Sequence, residues 1–348
     1  MIRLIGAVLL AGVVFFGVFC GSDFGTGLWD LTAGGARRGA RPRALIDHAI
    51  GPVWEANHVW LIFCLVVAWT GFPAAFFAIM TTLYIPLGIA AFGIVLRGSG
   101  FAFRKVSIRT AEQRVNGAVF AASSVITPFC FGAVAGGIAS GRVPAGGHGD
   151  AIRSWTNPTS VFGGVLAILT CSYLAAVFLT AEAHRIGDPD LVGWSRRRAV
   201  LSAVLTGLAA VAGLFVLRED AHRLFDRLLH VGWPLMVVSG VAGIAALLVT
   251  MVPAWQARPT LVRPIGVIAV GALLAGWGVA QYPYVLGTHL TLDAAAAPAQ
   301  TLDALAVVAL IAALTVVPSL AWLFLLTHRG RLTDVEGNAS TPTGEVSS

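Results

Sequence analysis

Three polar side chains stand close together in GPVWEANHVW, residues 51–60, directly before a long apolar run. Glu55 and His58 are three residues apart and therefore share one face of a helix that starts at Pro52. A carboxylate and an imidazole placed in this way can exchange a proton, and both can titrate near neutral pH. With Asn57 between them, the pattern predicts a proton-conducting or ligand-binding role.

Structural explanations stand beside that hypothesis. An acid in the first turn of a helix is stabilised by free backbone N–H groups, which is sufficient reason for Glu55 to be there. His58 can equally be a polar residue packed against another helix. Asp23 lies in GSDFGTG, where glycines at every fourth residue from Gly17 to Gly25 favour close helix approach. Asp23 either takes part in proton transfer or hydrogen-bonds a neighbouring helix.

These polar residues are notable because the rest of the chain is strongly apolar. Of its 348 residues, 57% are hydrophobic and only 11% are charged, with a mean hydropathy of +0.82. A soluble domain has about 25% charged residues. The composition therefore indicates an all-α, polytopic membrane protein. The net charge of +6 comes from basic residues between apolar runs, so it does not predict a nucleic-acid partner.

Nine apolar stretches have the length of about 20 residues that crosses ~30 Å of hydrocarbon. They are predicted at 4–30, 52–71, 73–96, 115–139, 158–183, 199–217, 231–255, 262–281 and 303–327. The short join at Gly71–Pro73 predicts a helical hairpin, and Pro86, Pro128 and Pro318 predict kinks. We expect a membrane domain over 1–329 and a disordered cytoplasmic tail over 330–348, which has no apolar periodicity.

The basic residues predict an orientation. The 23 Lys and Arg residues divide 17 to 6 between the two sides of the nine-span arrangement. The positive-inside rule then places the N-terminus outside, the C-terminus in the cytoplasm and Glu55 near the inner face.

Several classes of site lack their usual motifs. The four cysteines all lie in predicted spans without a C-x-x-C pattern, so no disulfide framework, zinc site or c-type haem attachment is indicated. Motifs for nucleotide hydrolysis, dinucleotide binding and zinc proteolysis are absent from the sequence. Glu182 and His184, and Tyr282, Tyr284 and His289 before the last span, are weaker candidates that membrane-interface positions explain.

Five stretches, in order and with similar gaps, resemble subunit II of the cytochrome bd type quinol oxidases. They are GSDFGTG, GPVWEANHVWLI, GFP, LYIPL leading to LRGSGFAFR, and QYPYVLG. The resemblance runs from about residue 21 to residue 327 and is more specific than any single short pattern.

The resemblance implies a nine-span protein of the bacterial cytoplasmic membrane, built as two four-helix bundles plus one peripheral helix. It implies a partner, subunit I, that carries haem b and haem d. The complex would oxidise membrane quinol and reduce dioxygen to water, with protons taken from the cytoplasm. This chain would supply the proton route and brace the haem-bearing subunit.

The resemblance also assigns residues. In the family, the acid of the G-P-x-W-[DE]-x-N motif is associated with a proton route into the haem region, and here it is Glu55. The Asp of G-x-D-x-G is Asp23, while Trp54 and Asn57 are supporting motif residues. His58 stands where family members often have Glu or Gln, which leaves its role open between relay and packing.

No haem ligand or metal site is predicted in this chain. A haem in a helical bundle needs an inward His or Met, and His58 is the only imidazole deep in a predicted span. Met80, Met236 and Met251 are explained as core residues.

Two rival hypotheses remain. One is a proton-coupled permease that uses Glu55 and His58, and the other is a purely structural partner. The sequence leaves open which quinone is used, whether a quinone or lipid binds this chain, and whether a small accessory subunit joins.

Overall fold

The computed structural model describes residues 1–35, 37–51, 54–106, 110–251 and 261–328. Pro52, taken above as a helix start, and the tail predicted over 330–348 lie outside these ranges. Within them the chain is mainly helical. Its long helices are α1 (Ile2–Leu31), α3 (Trp54–Gly71), α5 (Tyr84–Val106), α6 (Thr110–Ala139), α8 (Pro158–Ile186), α9 (Pro189–Asp220), α11 (Trp233–Met251), α12 (Val262–Gln281) and α14 (Ala299–His328).

Shorter elements connect the long helices. They are α2 (Ala40–Ile50), α4 (Pro73–Thr82), α7 (Arg153–Thr156), α10 (His222–Arg227), a π-helical turn (Leu228–Gly232), α13 (Leu292–Ala295) and an antiparallel pair of strands, β1 (Tyr284–Leu286) and β2 (Leu290–Thr291). These two short strands depart from the predicted all-α architecture, and they lie between α12 and α14.

Within the described ranges, eight helices are long and apolar enough to cross a bilayer, and the count rises to nine if α2 and α3 form one bent span. This confirms the predicted membrane architecture of about nine spans. The grouping into two four-helix bundles plus one peripheral helix stays a prediction.

The third predicted span, 73–96, differs from the structure. The helix stops at Thr82, and α5 begins after Leu83 and runs to Val106. Pro86 lies in the first turn of α5, where its missing N–H leaves the carbonyl of Thr82 without a helical donor. The kink expected at Pro86 is therefore a complete break, and α5 extends ten residues past the predicted end.

The predicted hairpin about Gly71–Pro73 has antiparallel arms. The only residue between α3 and α4 is Phe72. At the open end, the ring of Trp54 lies 6.0 Å from that of Phe101, near the end of α5. The start of α3 and the end of α5 are therefore at the same membrane face.

Helix α1 is the centre of the packing and lies against α3, α6, α8 and α12. Residues 20–27 of α1 are all buried. A Cβ added at Gly25 would collide with the carbonyl oxygen of Cys171 on α8, and one at Gly21 would lie 3.3 Å from Leu174. The glycine repeat thus permits the close helix approach that it predicted.

Contacts between loops divide the helix ends into two faces. At one face, Arg41 of α2 pairs with Asp188 before α9, at 2.5 Å. We call this the arginine-rich face; it also holds the ends of α1, α5 and α8. At the other, which we call the opposite face, the N–H of Ala297 donates to the carbonyl of Gly71 at 2.9 Å. Successive long helices thus end at alternate faces, as the predicted order of spans requires.

The loop before α14 is fixed at the opposite face. Arg227 of α10 donates to the carbonyl of Tyr282 at 2.7 Å, and Arg223 donates to that of Gly287. Gly287 has a φ of +47°, and a Cβ there would collide with Gly141. The β1–β2 turn therefore requires glycine.

Among the described side chains of α14, the fully buried ones lie near its start. Leu302 and Leu305 are buried, whereas the exposed residues beyond them include Leu310, Leu314 and Trp322.

Replacing Gly25 by alanine should destabilise the α1–α8 crossing, because the new methyl group meets main chain that cannot move aside. We expect a loss of about 1–3 kcal/mol, measured as a lower Tm of the protein purified from its membrane. Gly193 of α9 has open space around it and is the matched control. Gly193→Ala should leave Tm unchanged or slightly higher, because alanine favours helix. Equal effects of the two substitutions would contradict the close approach.

Candidate functional site

Four helices bring polar side chains together in the interior of the bundle. Asp23 of α1 accepts a hydrogen bond from the amide of Asn57 of α3 at 2.7 Å. Arg97 of α5 donates to the main-chain carbonyl of Asp23 at 3.0 Å and to the hydroxyl of Ser124 of α6 at 3.2 Å. Asp23, Asn57, Arg97 and Ser124 form what we call the buried polar cluster.

Arg97 corrects an interpretation made from the sequence. It was counted among the basic residues between spans, yet it lies inside α5 and is only 2% exposed. Its guanidinium lies 5.2 Å from the centres of the rings of Phe24 and Phe120. Because a charge inside a bilayer is costly, these hydrogen bonds and ring contacts are what make its position tenable.

Asp23 is held from several directions. It is 3% exposed, and its main-chain carbonyl also accepts from the hydroxyl of Thr26 at 2.6 Å. The thiol of Cys20 donates to the carbonyl of Asn57 at 3.1 Å. The structure therefore gives Asp23 the inter-helix hydrogen bond that was one of its two predicted explanations, and the bond goes to another residue of the predicted motif.

Glu55 and His58 are not bonded to each other. His58 Nδ1 lies 2.8 Å from the carbonyl oxygen of Trp54, so Nδ1 must carry the proton of that hydrogen bond. The imidazole ring lies edge-on to Phe24 at 5.8 Å, and its buried Nε2 has no hydrogen-bond partner among the described residues. Glu55 is exposed and makes no hydrogen bond or ion pair with the described residues. The predicted proton exchange between these two side chains stays a prediction.

Glu55 begins an exposed stripe on α3. Val59, Ile62, Val66 and Trp69 follow it at alternating spacings of four and three residues, and all are exposed. This spacing places them on one side of the helix. Glu55 is thus the acidic end of an apolar surface that faces away from this chain.

The other acids of the arginine-rich face are paired, which the sequence did not predict. Asp30 of α1 is 3.1 Å from Arg43 and 2.8 Å from Arg104. Asp47 of α2 also bonds Arg104. In the loop, hydrogen bonding by Arg41 holds the pKa of Asp188 below its usual range.

Glu182, a weaker candidate above, is the centre of a second network. It binds Arg185 at 2.5 Å and Arg263 at 3.1 Å, and His48 of α2 lies 3.4 Å away. His184 is not part of these contacts. The network gives Glu182 a role in holding α2, α8 and α12 together.

Within the ranges given above, no three His, Cys, Asp or Glu side chains are grouped so that they could hold a metal ion. His58, the deep imidazole, is engaged with main chain and aromatic rings.

A family model described as cytochrome bd terminal oxidase subunit II matches residues 1–327. This chain belongs to that family. It is 27% identical to cytochrome bd ubiquinol oxidase subunit 2 of Bacillus subtilis (strain 168), over 66% of this chain and 67% of the relative. Its fold matches a chain of the bd oxidase from Geobacillus thermodenitrificans with a TM-score of 0.76 and 23% identity, over 93% of this chain and 98% of that one.

The family gives the biochemical setting and confirms the resemblance found in the sequence. This subunit II is a multi-pass membrane protein and part of a quinol:oxygen oxidoreductase complex of the respiratory chain. The family implies that the haems are carried by a partner subunit.

Asn57 and Glu55 belong to the same motif, but substitutions at the two positions should differ in their effect on the stability of the complex. Asn57→Leu leaves the buried Asp23 carboxylate without its amide donor, which should cost about 1–3 kcal/mol and lower the Tm of the complex. Glu55→Leu, two residues away but exposed, should change the free energy of unfolding by no more than about 0.5 kcal/mol, so its Tm should stay near that of wild type. Thermal denaturation of both variants tests this. The same Tm for the Asn57→Leu variant and wild type would contradict the cluster.

Proposed function

We propose that this subunit carries protons from the arginine-rich face toward the haem-bearing partner along the Glu55 side of α3, and braces that partner through the same surface. The observation that supports the proposal is the state of Glu55. Its carboxylate is exposed at the end of an apolar stripe and pairs with none of the described residues, whereas Asp30, Asp47 and Glu182 at the same face have arginine partners.

The position of the stripe favours an interface with the partner. An acid that faces lipid is costly, and its cost falls where a second protein supplies polar groups or water. A helix side that combines large apolar residues with one acid suits such an interface. Membership of the family supplies the partner.

The other candidate residues, His58, Trp54 and Asp23, have secondary roles in this proposal. His58 is one turn further along α3, and its unpartnered Nε2 is available to accept a proton. The main-chain carbonyl of Trp54 orients the imidazole ring of His58 by accepting the hydrogen bond from Nδ1. Asp23 is a buried acid behind Asn57, on the other side of α3 from Glu55, and would exchange protons with the route from inside the chain.

We also propose that the arginine-rich face is cytoplasmic, with the N-terminus outside. The support is the uneven distribution of basic residues. Nothing in the described part of the chain or among its relatives favours the alternative of a proton-coupled permease.

A pair of glycines provides a test of the orientation. Gly35 at the arginine-rich face and Gly146 at the opposite face are both exposed and have open space around them. In vesicles with the outer side exposed, a membrane-impermeant thiol reagent should label Gly146→Cys directly and Gly35→Cys only after permeabilisation. The native cysteines are in the spans and should react little. The reverse order of labelling would overturn the proposed orientation.

Glu55→Gln removes the proposed proton carrier without changing its size. In the assembled complex, we expect quinol-driven oxygen consumption to fall by about 10²-fold, because proton delivery is lost, while the haem absorption spectrum is unchanged. Glu55→Asp should retain most of the activity.

Glu112 provides the matched control, because it is another exposed acid in the first turn of a helix, α6. Glu112→Gln should leave oxygen consumption near wild type. If Glu55→Gln also has normal turnover across the pH range, Glu55 is only a helix-start acid and the proposed route is wrong.

A further inference from the structure

A polar cavity lies at the opposite face, far along the bundle from Glu55. Its volume is about 190 Å³. The end of α6, the α9–α10 junction, the end of α12 and the β1–β2 turn surround it. It is therefore built by elements that are distant in sequence, and the proposed proton route does not use it.

The charge in the cavity is positive after internal pairing. Asp220, the only carboxylate of the lining, is bound by Arg142 at 2.5 and 3.1 Å and accepts from the N–H and hydroxyl of Thr159. Arg223 also lines the cavity and makes no ion pair with the described residues. Its guanidinium donates to the carbonyl of Gly287 and lies 3.9 Å from the centre of the Tyr284 ring.

Further hydrogen-bonding groups complete the lining. Gln281 is 7% exposed, and its buried amide nitrogen has no hydrogen-bond partner in the part of the chain that the structure describes. Thr288 and His289 also line the cavity, and His289 Nε2 lies 3.0 Å from the carbonyl oxygen of Gly141. A buried amide without a partner is unfavourable, so a group that accepts its hydrogen bond would stabilise the site.

We propose that this cavity binds a phosphate group, with Arg223 supplying the charge and Gln281 a neutral donor. A phosphate has several acceptor oxygens, and an arginine beside further donors is the arrangement that recognises it. The cavity is at the end of membrane-spanning helices, so the phosphate can belong to a phospholipid headgroup or be free in solution.

Calorimetric titration of the assembled complex in phosphate-free nonionic detergent tests the site. One arm uses inorganic phosphate, and the other uses short-chain phosphatidylglycerol, with diacylglycerol of the same chain length as the lipid without phosphate. Arg223→Gln and Gln281→Glu should each weaken binding by about tenfold or more. Arg218→Gln, an exposed arginine outside the cavity, should bind as wild type does.

The two arms identify the source of the phosphate. Saturable binding of phosphatidylglycerol alone indicates a headgroup, and binding of inorganic phosphate indicates that the free anion is sufficient. No saturable binding of either probe, equal binding by diacylglycerol, or equal loss in the Arg218→Gln variant would overturn the proposal. If Arg223→Gln prevents assembly of the complex, the binding measured for Gln281→Glu tests the proposal by itself. This substitution keeps the side-chain shape and adds a charge that repels phosphate.

Discussion

The arrangement of the first helices depends on one buried cation. A guanidinium inside a membrane protein is tolerated only where its donors find acceptors. Arg97 finds them on α1 and α6, between two aromatic rings. Asn57 then ties α3 to the same turn of α1 through Asp23. Four helices are thus fixed in register at one level, and a slip of any one would leave a polar group unpaired in an apolar interior.

A glycine contact and a set of ion pairs fix further helices around this cluster. Gly25 lets α1 approach the main chain of α8, which places the carboxyl end of α8 beside α2. At the arginine-rich face, Asp30 of α1 is joined to α2 through Arg43, and Glu182 of α8 lies 3.4 Å from His48 of α2. Because these acids have internal partners, the carboxylate of Glu55, which pairs with none of the residues that the structure describes, differs from them in its chemistry and not only in its position.

The sequence predicted the spans because an apolar run of about 20 residues has one stable solution in lipid. It also indicated Asp23 and Asn57. It could not place Arg97, because a hydropathy pattern ends at the first charge and treats it as a loop. Its acceptors are 74 and 27 residues away, and only the packing brings them together. The three-residue spacing of Glu55 and His58 gave a shared helix side, but it did not determine that His58 would bond the Trp54 carbonyl.

The sparse packing of α14 has a consequence for how the subunit reaches its final form. Beyond Leu305 the helix has few neighbours in its own chain, although Trp322 and Leu314 present large side chains. Van der Waals contact for this half must therefore come from acyl chains or from another protein. The position of α14 is therefore settled by its surroundings, and the packing of this helix is completed only where lipid or another protein meets its exposed side chains.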